Sequence, residues 1–149
     1  MPQEPNPQQQ AAQAAFQDAL ADLAFACAFA TPDGGCDQVA ALTALVSAHP
    51  HWQAAFDYAA VERFLAAGAD ASAALALIEP VAGYMLSRAP GGRHLVTAVL
   101  AGQAQEFHAE GSSAALALVG ALATALAGTT AAVPAAGPRL KPAPEIRLN

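Results

Sequence analysis

The sequence predicts an all-α protein: a compact bundle of about five to six short antiparallel helices with Pro-rich termini. Three observations predict it. Alanine supplies 43 of the 149 residues, and alanine loses almost no side-chain entropy in a helix, which makes it the strongest helix former. β-branched apolar residues are sparse, with 8 Val and 2 Ile, whereas strands favour them. Large apolar residues recur at spacings of three and four, the period of a helix with one buried face.

The elements follow in order. Residues 1–7 hold three prolines and read as a disordered N-terminal segment. They lack the basic start and apolar run of a secretory signal, so the expected address is the cytoplasm. The helical domain is expected over residues 8–128. Its first helix runs from about Gln8 to Ala30, with Phe16, Leu20, Leu23 and Cys27 on one face. Phe25 and Phe29 form a second stripe, which predicts neighbours on two sides, and Asp18 and Asp22 mark the wet face. Thr31-Pro32-Asp33-Gly34-Gly35 stops this helix.

A second helix is expected from Cys36 to Ala48, buried through Val39, Leu42, Leu45 and Val46. Pro50 suits the first turn of a third helix, which carries Trp52, Phe56, Val61, Phe64 and Leu65 to a left-handed cap at Gly68. Asp70 or Ser72 can cap a fourth helix, reading Leu75, Ile78, Val81 and Met85 before Arg88, with a kink or break expected near Leu77 because Pro80 removes one hydrogen bond. Ala89-Pro90-Gly91-Gly92 is a clear break. A fifth helix reads Val96, Val99, Leu100 and Phe107 and closes near Gly111. Ser112 or Ser113 caps a sixth, with Leu116, Val119, Leu122 and Leu126 on its apolar face. Residues 129–149 carry four prolines and read as a Pro-rich extended tail.

Val61-Glu62-Arg63-Phe64-Leu65-Ala66-Ala67-Gly68-Ala69-Asp70-Ala71-Ser72-Ala73 resembles the second helix and loop of an ankyrin repeat. The resemblance covers these 13 residues. The Thr-Pro-Leu-His start of a following repeat is missing, and no period of about 33 residues appears elsewhere. Shared helix-stop chemistry, a Gly followed by an Asp, accounts for it, and no family is assigned.

Charge is divided unevenly. Residues 1–130 carry 11 acidic and 3 basic side chains, while residues 131–149 carry Arg139, Lys141 and Arg147 against Glu145. An acidic bundle repels phosphates, so direct electrostatic binding of nucleic acid is not expected. The segment 111–138 is uncharged over 28 residues, enough to cross a bilayer at about 20 residues. Its leucines keep an amphipathic spacing, which favours a bundle helix over a membrane span.

No catalytic residue, cofactor site or metal site is expected. His94 and His108 lie 14 residues apart, about 21 Å along one helix, too far to share an ion. His49 and His51 have no third ligand nearby in sequence. Cys27 and Cys36 flank a turn and are expected reduced in the cytoplasm. There is no phosphate-binding Gly-rich loop with its Lys.

The function class expected is therefore a small non-enzymatic protein–protein interaction protein, an assembly subunit, adaptor or inhibitor from a bacterium, a phage or a mobile element. Its partner is another protein or copies of itself. The tail supplies apolar anchors and cations at Leu140, Lys141, Ile146, Arg147 and Leu148, pre-extended by prolines. Tyr58 and Tyr84 are the further candidate contacts, since Tyr is enriched at binding hot spots. The alternative is a ligand-binding protein or enzyme with an interhelical pocket drawing on His51, Asp57, Tyr58, Arg63, His94 and Glu106. A second alternative is membrane association through 111–138.

Overall fold

The structure, a computed structural model, describes residues 2–129. The elements are α1 (Pro7–Phe29), a single 3-10 turn, α2 (Gly35–Ala48), α3 (Tyr58–Ala66), α4 (Asp70–Ile78), β1 (Ala82–Arg88), β2 (His94–Leu100), β3 (Glu106–Gly111) and α5 (Ala114–Ala127). The fold is α/β: five helices and a three-stranded antiparallel sheet packed against α5. The all-α expectation, and with it the helical bundle, is wrong over residues 82–111.

The first two helices fall where the apolar spacing puts them. Phe16, Leu20, Leu23 and Cys27 are the buried residues of α1, and Val39, Leu42 and Val46 are buried in α2. Asn6 caps α1, its side chain accepting from the Gln8 N–H at 3.0 Å, so the helix begins inside the segment read as disordered. The third helix is shorter than expected. Residues 49–56 form successive turns that bury Trp52 and Phe56, and α3 starts only after Asp57, whose Oδ1 accepts from the Ala60 N–H. Gly68, at φ +70°, supplies the left-handed stop; a β-branched or bulky residue there would be strained.

The fourth helix ends at Ile78, and residues 79–81 turn the chain into β1 instead of continuing through Pro80. The sheet order is β1-β2-β3. Tyr84 pairs with Ala98 and Ala98 with Phe107; Met85 pairs with Thr97 and Thr97 with His108. Burial along β2 has period two, with Val96, Ala98 and Leu100 inside, as one face of a sheet requires. Ala89-Pro90-Gly91-Gly92, read as a break between helices, is the turn of a hairpin, closed by the Ala89 N–H donating to the Arg93 carbonyl at 2.8 Å.

The last helix, α5, is buried on every side: all its residues from Ala115 to Ala123 are inside. It contacts the sheet, α1, α2 and α4. Its side chains are therefore not divided into apolar and wet faces, as the leucine spacing implies; an all-round apolar helix is one placed at the centre of a core. Ser113 caps it, accepting from the Leu116 N–H at 3.2 Å. Among the described residues, no helix is long and apolar enough to cross a membrane. The lack of charge from Gly111 to Thr129 reflects a central position in the core.

Candidate functional site

The outer face of α1 carries two large aromatic side chains that none of the described residues covers. Phe25 is 69% exposed and Phe29 75%, and their ring centroids are 4.8 Å apart. At about 100° per residue, they lie opposite the buried stripe. Asp18 and Asp22, both exposed, precede them on the same side. The second neighbour that the double stripe predicts is absent among the described residues. This end of α1 is fixed in place by the sheet. Arg93 Nη2 donates to the Ala28 carbonyl at 3.0 Å while its Nε donates to Glu110 at 3.3 Å, and Ser112 Oγ donates to the Ala30 carbonyl at 2.7 Å.

A second apolar surface is the β1 edge. Tyr84 (38% exposed), Met85 (69%) and Leu86 (40%) are consecutive, so they alternate between the two faces of the sheet. Met85 is on the open face. Tyr84 and Leu86 share the face of α5, but α5 lies over β2 and β3 much more than over β1. The Tyr84 hydroxyl donates to Glu79 Oε1 at 3.3 Å.

Between α1 and α2 runs an open, alanine-lined groove of about 610 Å³, with Phe16 and Leu23 on its floor and His49 at one end. His49 stacks on Phe16 at 4.1 Å, its Nε2 meets Gln13 Oε1 at 3.1 Å, and its Nδ1 accepts from the His51 N–H at 3.3 Å. Burial, reinforced by neighbouring His51, holds the His49 pKa below the ordinary histidine value.

The sequence candidates are scattered. Tyr58 is half-buried; its hydroxyl donates to the Trp52 carbonyl at 3.0 Å and its ring packs near Phe56, so it braces the 49–56 turns. Tyr84 stands at the exposed edge. Leu140, Lys141, Ile146, Arg147 and Leu148 lie outside the described residues. The polar set of the ligand-binding alternative is not brought together: His51, Asp57, Tyr58 and Arg63 belong to the α2–α3 region, while His94 and Glu106 sit at opposite ends of the sheet. Among the described residues, no three His, Cys, Asp or Glu side chains converge on a metal-sized space. Cys27 and Cys36 are unbonded, and burial pushes the Cys27 thiol up to about 11, away from nucleophilic use.

Sequence reasoning missed Met85 and Leu86 as surface residues. The available signal was the run Tyr84-Met85-Leu86, which fits neither a helical stripe nor strand alternation, followed closely by Pro90-Gly91-Gly92. Comparison with protein-family models, with curated proteins and with solved structures gave no match.

Proposed function

We propose that this chain is a non-enzymatic protein–protein interaction protein, an adaptor, assembly subunit or inhibitor, and that the outer face of α1 is its main contact surface. The observation that carries this reading is the Phe25–Phe29 pair, exposed and adjacent on a helix end whose carbonyls accept hydrogen bonds from Arg93 and Ser112. Burying one such ring contributes roughly 1.5–3 kcal/mol. Two rings on a pre-ordered helix suffice for the apolar centre of an interface, with little ordering cost.

Asp18 and Asp22 set the chemistry of the partner: a segment with apolar anchors and neighbouring cations. The region containing Leu140, Lys141, Ile146, Arg147 and Leu148 has that composition, so another copy of this chain is one source and a separate protein the other. A reducing, cytoplasmic address belongs to the same reading.

The test is capture of partners from native lysate by the full chain, by Phe25→Ser/Phe29→Ser, and by a 1–128 truncation, each checked for unchanged circular dichroism. A stoichiometric partner held by the full chain and lost with the double substitution is the expected result. Loss on truncation as well would give the tail a share in the contact. A partner retained by the double variant moves the interface off α1, and no partner for any chain sinks the adaptor reading.

A further inference from the structure

β1 is an edge strand whose free side is unprotected among the described residues. The opposite edge, β3, has α1 beside it and bears Glu106, His108 and Glu110. Natural edges are usually blunted by an inward-pointing charge, a proline, a bulge or a covering segment. Residues 82–87, Ala-Gly-Tyr-Met-Leu-Ser, contain no charge and no proline, and their pairing with β2 is continuous from Ala82 to Arg88.

The register tells which backbone groups are free. The Val81 carbonyl accepts from the Ala101 N–H and the Ala89 N–H donates to the Arg93 carbonyl, both at 2.8 Å. In an antiparallel ladder, hydrogen-bonded and non-hydrogen-bonded pairs alternate. Odd-numbered residues of β1 therefore bond to β2, and Ala82, Tyr84, Leu86 and Arg88 direct their N–H and C=O groups outward.

We infer that this edge pairs with the same edge of a second copy of the chain, antiparallel about a two-fold axis at Met85, to make one continuous six-stranded sheet. In this register the strand overlaps itself over its full length. Tyr84 meets Leu86 of the second copy and Ala82 meets its Arg88, so every outward-facing group of one edge faces an outward-facing group of the other. The Met85 side chains of the two copies become neighbours on the open face. Tyr84 and Leu86 of both copies share the other face, between the two α5 helices, and the three exposed apolar residues are covered together.

Charge selects this occupant. Glu79 precedes the strand and Arg88 closes it, with no charge between. Antiparallel self-pairing sets Arg88 of one copy diagonal to Tyr84 of the other, whose hydroxyl holds Glu79; diagonal neighbours about 7–8 Å apart are within reach of a long side chain. Parallel pairing would set like charges together. The chain's own tail is a poorer strand, because Pro138, Pro142 and Pro144 lack the N–H a ladder needs. The inference goes beyond the proposed α1 contact and does not rest on it: β1 and α1 lie at opposite edges of the sheet, so each can fail while the other stands.

The experiment is sedimentation or light scattering of the full chain over about 10–500 μM, a range suited to a contact smaller than the standard interface of about 1,600 Å². The expected mass rises with concentration from the 14.9 kDa monomer toward twice that value. Leu86→Pro removes an N–H that the monomer does not use and should hold the chain at the monomer mass with unchanged circular dichroism. Met85→Pro, which removes an N–H bonded to β2, should damage the hairpin itself. Should Leu86→Pro fail to fold, Leu86→Lys leaves the backbone intact and should also stay monomeric. Amide exchange at Tyr84 and Leu86 should slow on concentration in the wild type. Arg88→Glu should weaken association, and Glu79→Lys with Arg88→Glu should restore it. A wild type monomeric throughout, or a dimer that survives Leu86→Pro and Leu86→Lys, overturns the inference. Partner capture through Phe25 and Phe29 would be untouched by either result.

Discussion

Gly111→Ala tests the sheet most directly. Gly111 ends β3, buried, just before α5 doubles back across the strand. A Cβ placed there would lie 2.6 Å from the Ala117 backbone nitrogen and 2.9 Å from Leu116 Cβ. Ordinary contact begins near 3.4 Å, so the added methyl must push backbone of α5 aside. Overpacking of this kind costs about 1–3 kcal/mol. The backbone at Gly111 is not left-handed, so alanine also lowers unfolded-state entropy and returns about 0.4–1 kcal/mol. Taking the middle of both ranges, the net is a destabilisation of about 1.3 kcal/mol, which lowers the melting temperature of a chain this size by roughly 3–5 °C. Gly120→Ala is the matched control. Its Cβ would stand 3.3 Å from Ala109 Cβ and 3.5 Å from Cys27 Cβ, a light squeeze against a helix-propensity gain of about 1 kcal/mol. Scanning calorimetry should rank Gly120→Ala at or above the wild type and Gly111→Ala below it. A Gly111→Ala protein that melts at or above the wild-type temperature refutes the packing of β3 on α5. It would return Gly111 to the role of a tolerant helix stop.

Two further outcomes check the interior. A thiol reagent at pH 8 should label half-buried Cys36 in the native protein and leave Cys27, whose thiol is pushed up to about 11, unreacted until denaturant is added; equal native rates for both would contradict the α1–α5 contact. Stability should fall on acidification because His49 is held below the ordinary value of 6.5. The unfolded chain then binds more protons through that window, so the contribution is complete above about pH 6.5 and is lost as pH falls through the folded-state pKa. Urea midpoints between pH 7.5 and 5 should show the decline, and His49→Gln should flatten it; identical slopes would remove His49 from the account.

The first two helices were legible because their large apolar residues fall at one period, Phe16 to Cys27 in α1 and Val39 to Val46 in α2, and the start of α5 was legible from its cap, Ser113. The strands were not, and Ala98 is the reason in miniature. Val96, Val99, Leu100 and Phe107 satisfy a helical spacing; only when Ala98 is counted as a buried residue does the period become two. Alanine is too small to register as a core residue and too strong a helix former to suggest a strand. β1 was hidden for a different cause. Its apolar residues mark an overhanging edge, so its burial pattern has no period. The Phe25–Phe29 stripe was visible in the sequence, but whether a neighbour covers it depends on where α5 and the sheet stand.

The placement of large and small apolar residues is itself an argument about function. α5, the most enclosed helix, buries Ala115, Ala117, Ala121, Ala123 and Ala125, each contributing little area at roughly 25 cal/mol per Å². Those small residues gain their cohesion from close approach of the neighbouring elements. The same chain leaves Phe25, Phe29 and Met85 more than two-thirds exposed, where they contribute almost nothing to folding and reduce solubility. Moving those side chains to serine should therefore change stability by no more than about 0.5 kcal/mol. Phe16, Phe56 and Phe107 are inside, and leaving Phe25, Phe29 and Met85 outside gains nothing for an isolated monomer. The arrangement makes physical sense when the rings are covered by a partner and the β1 edge by a second strand.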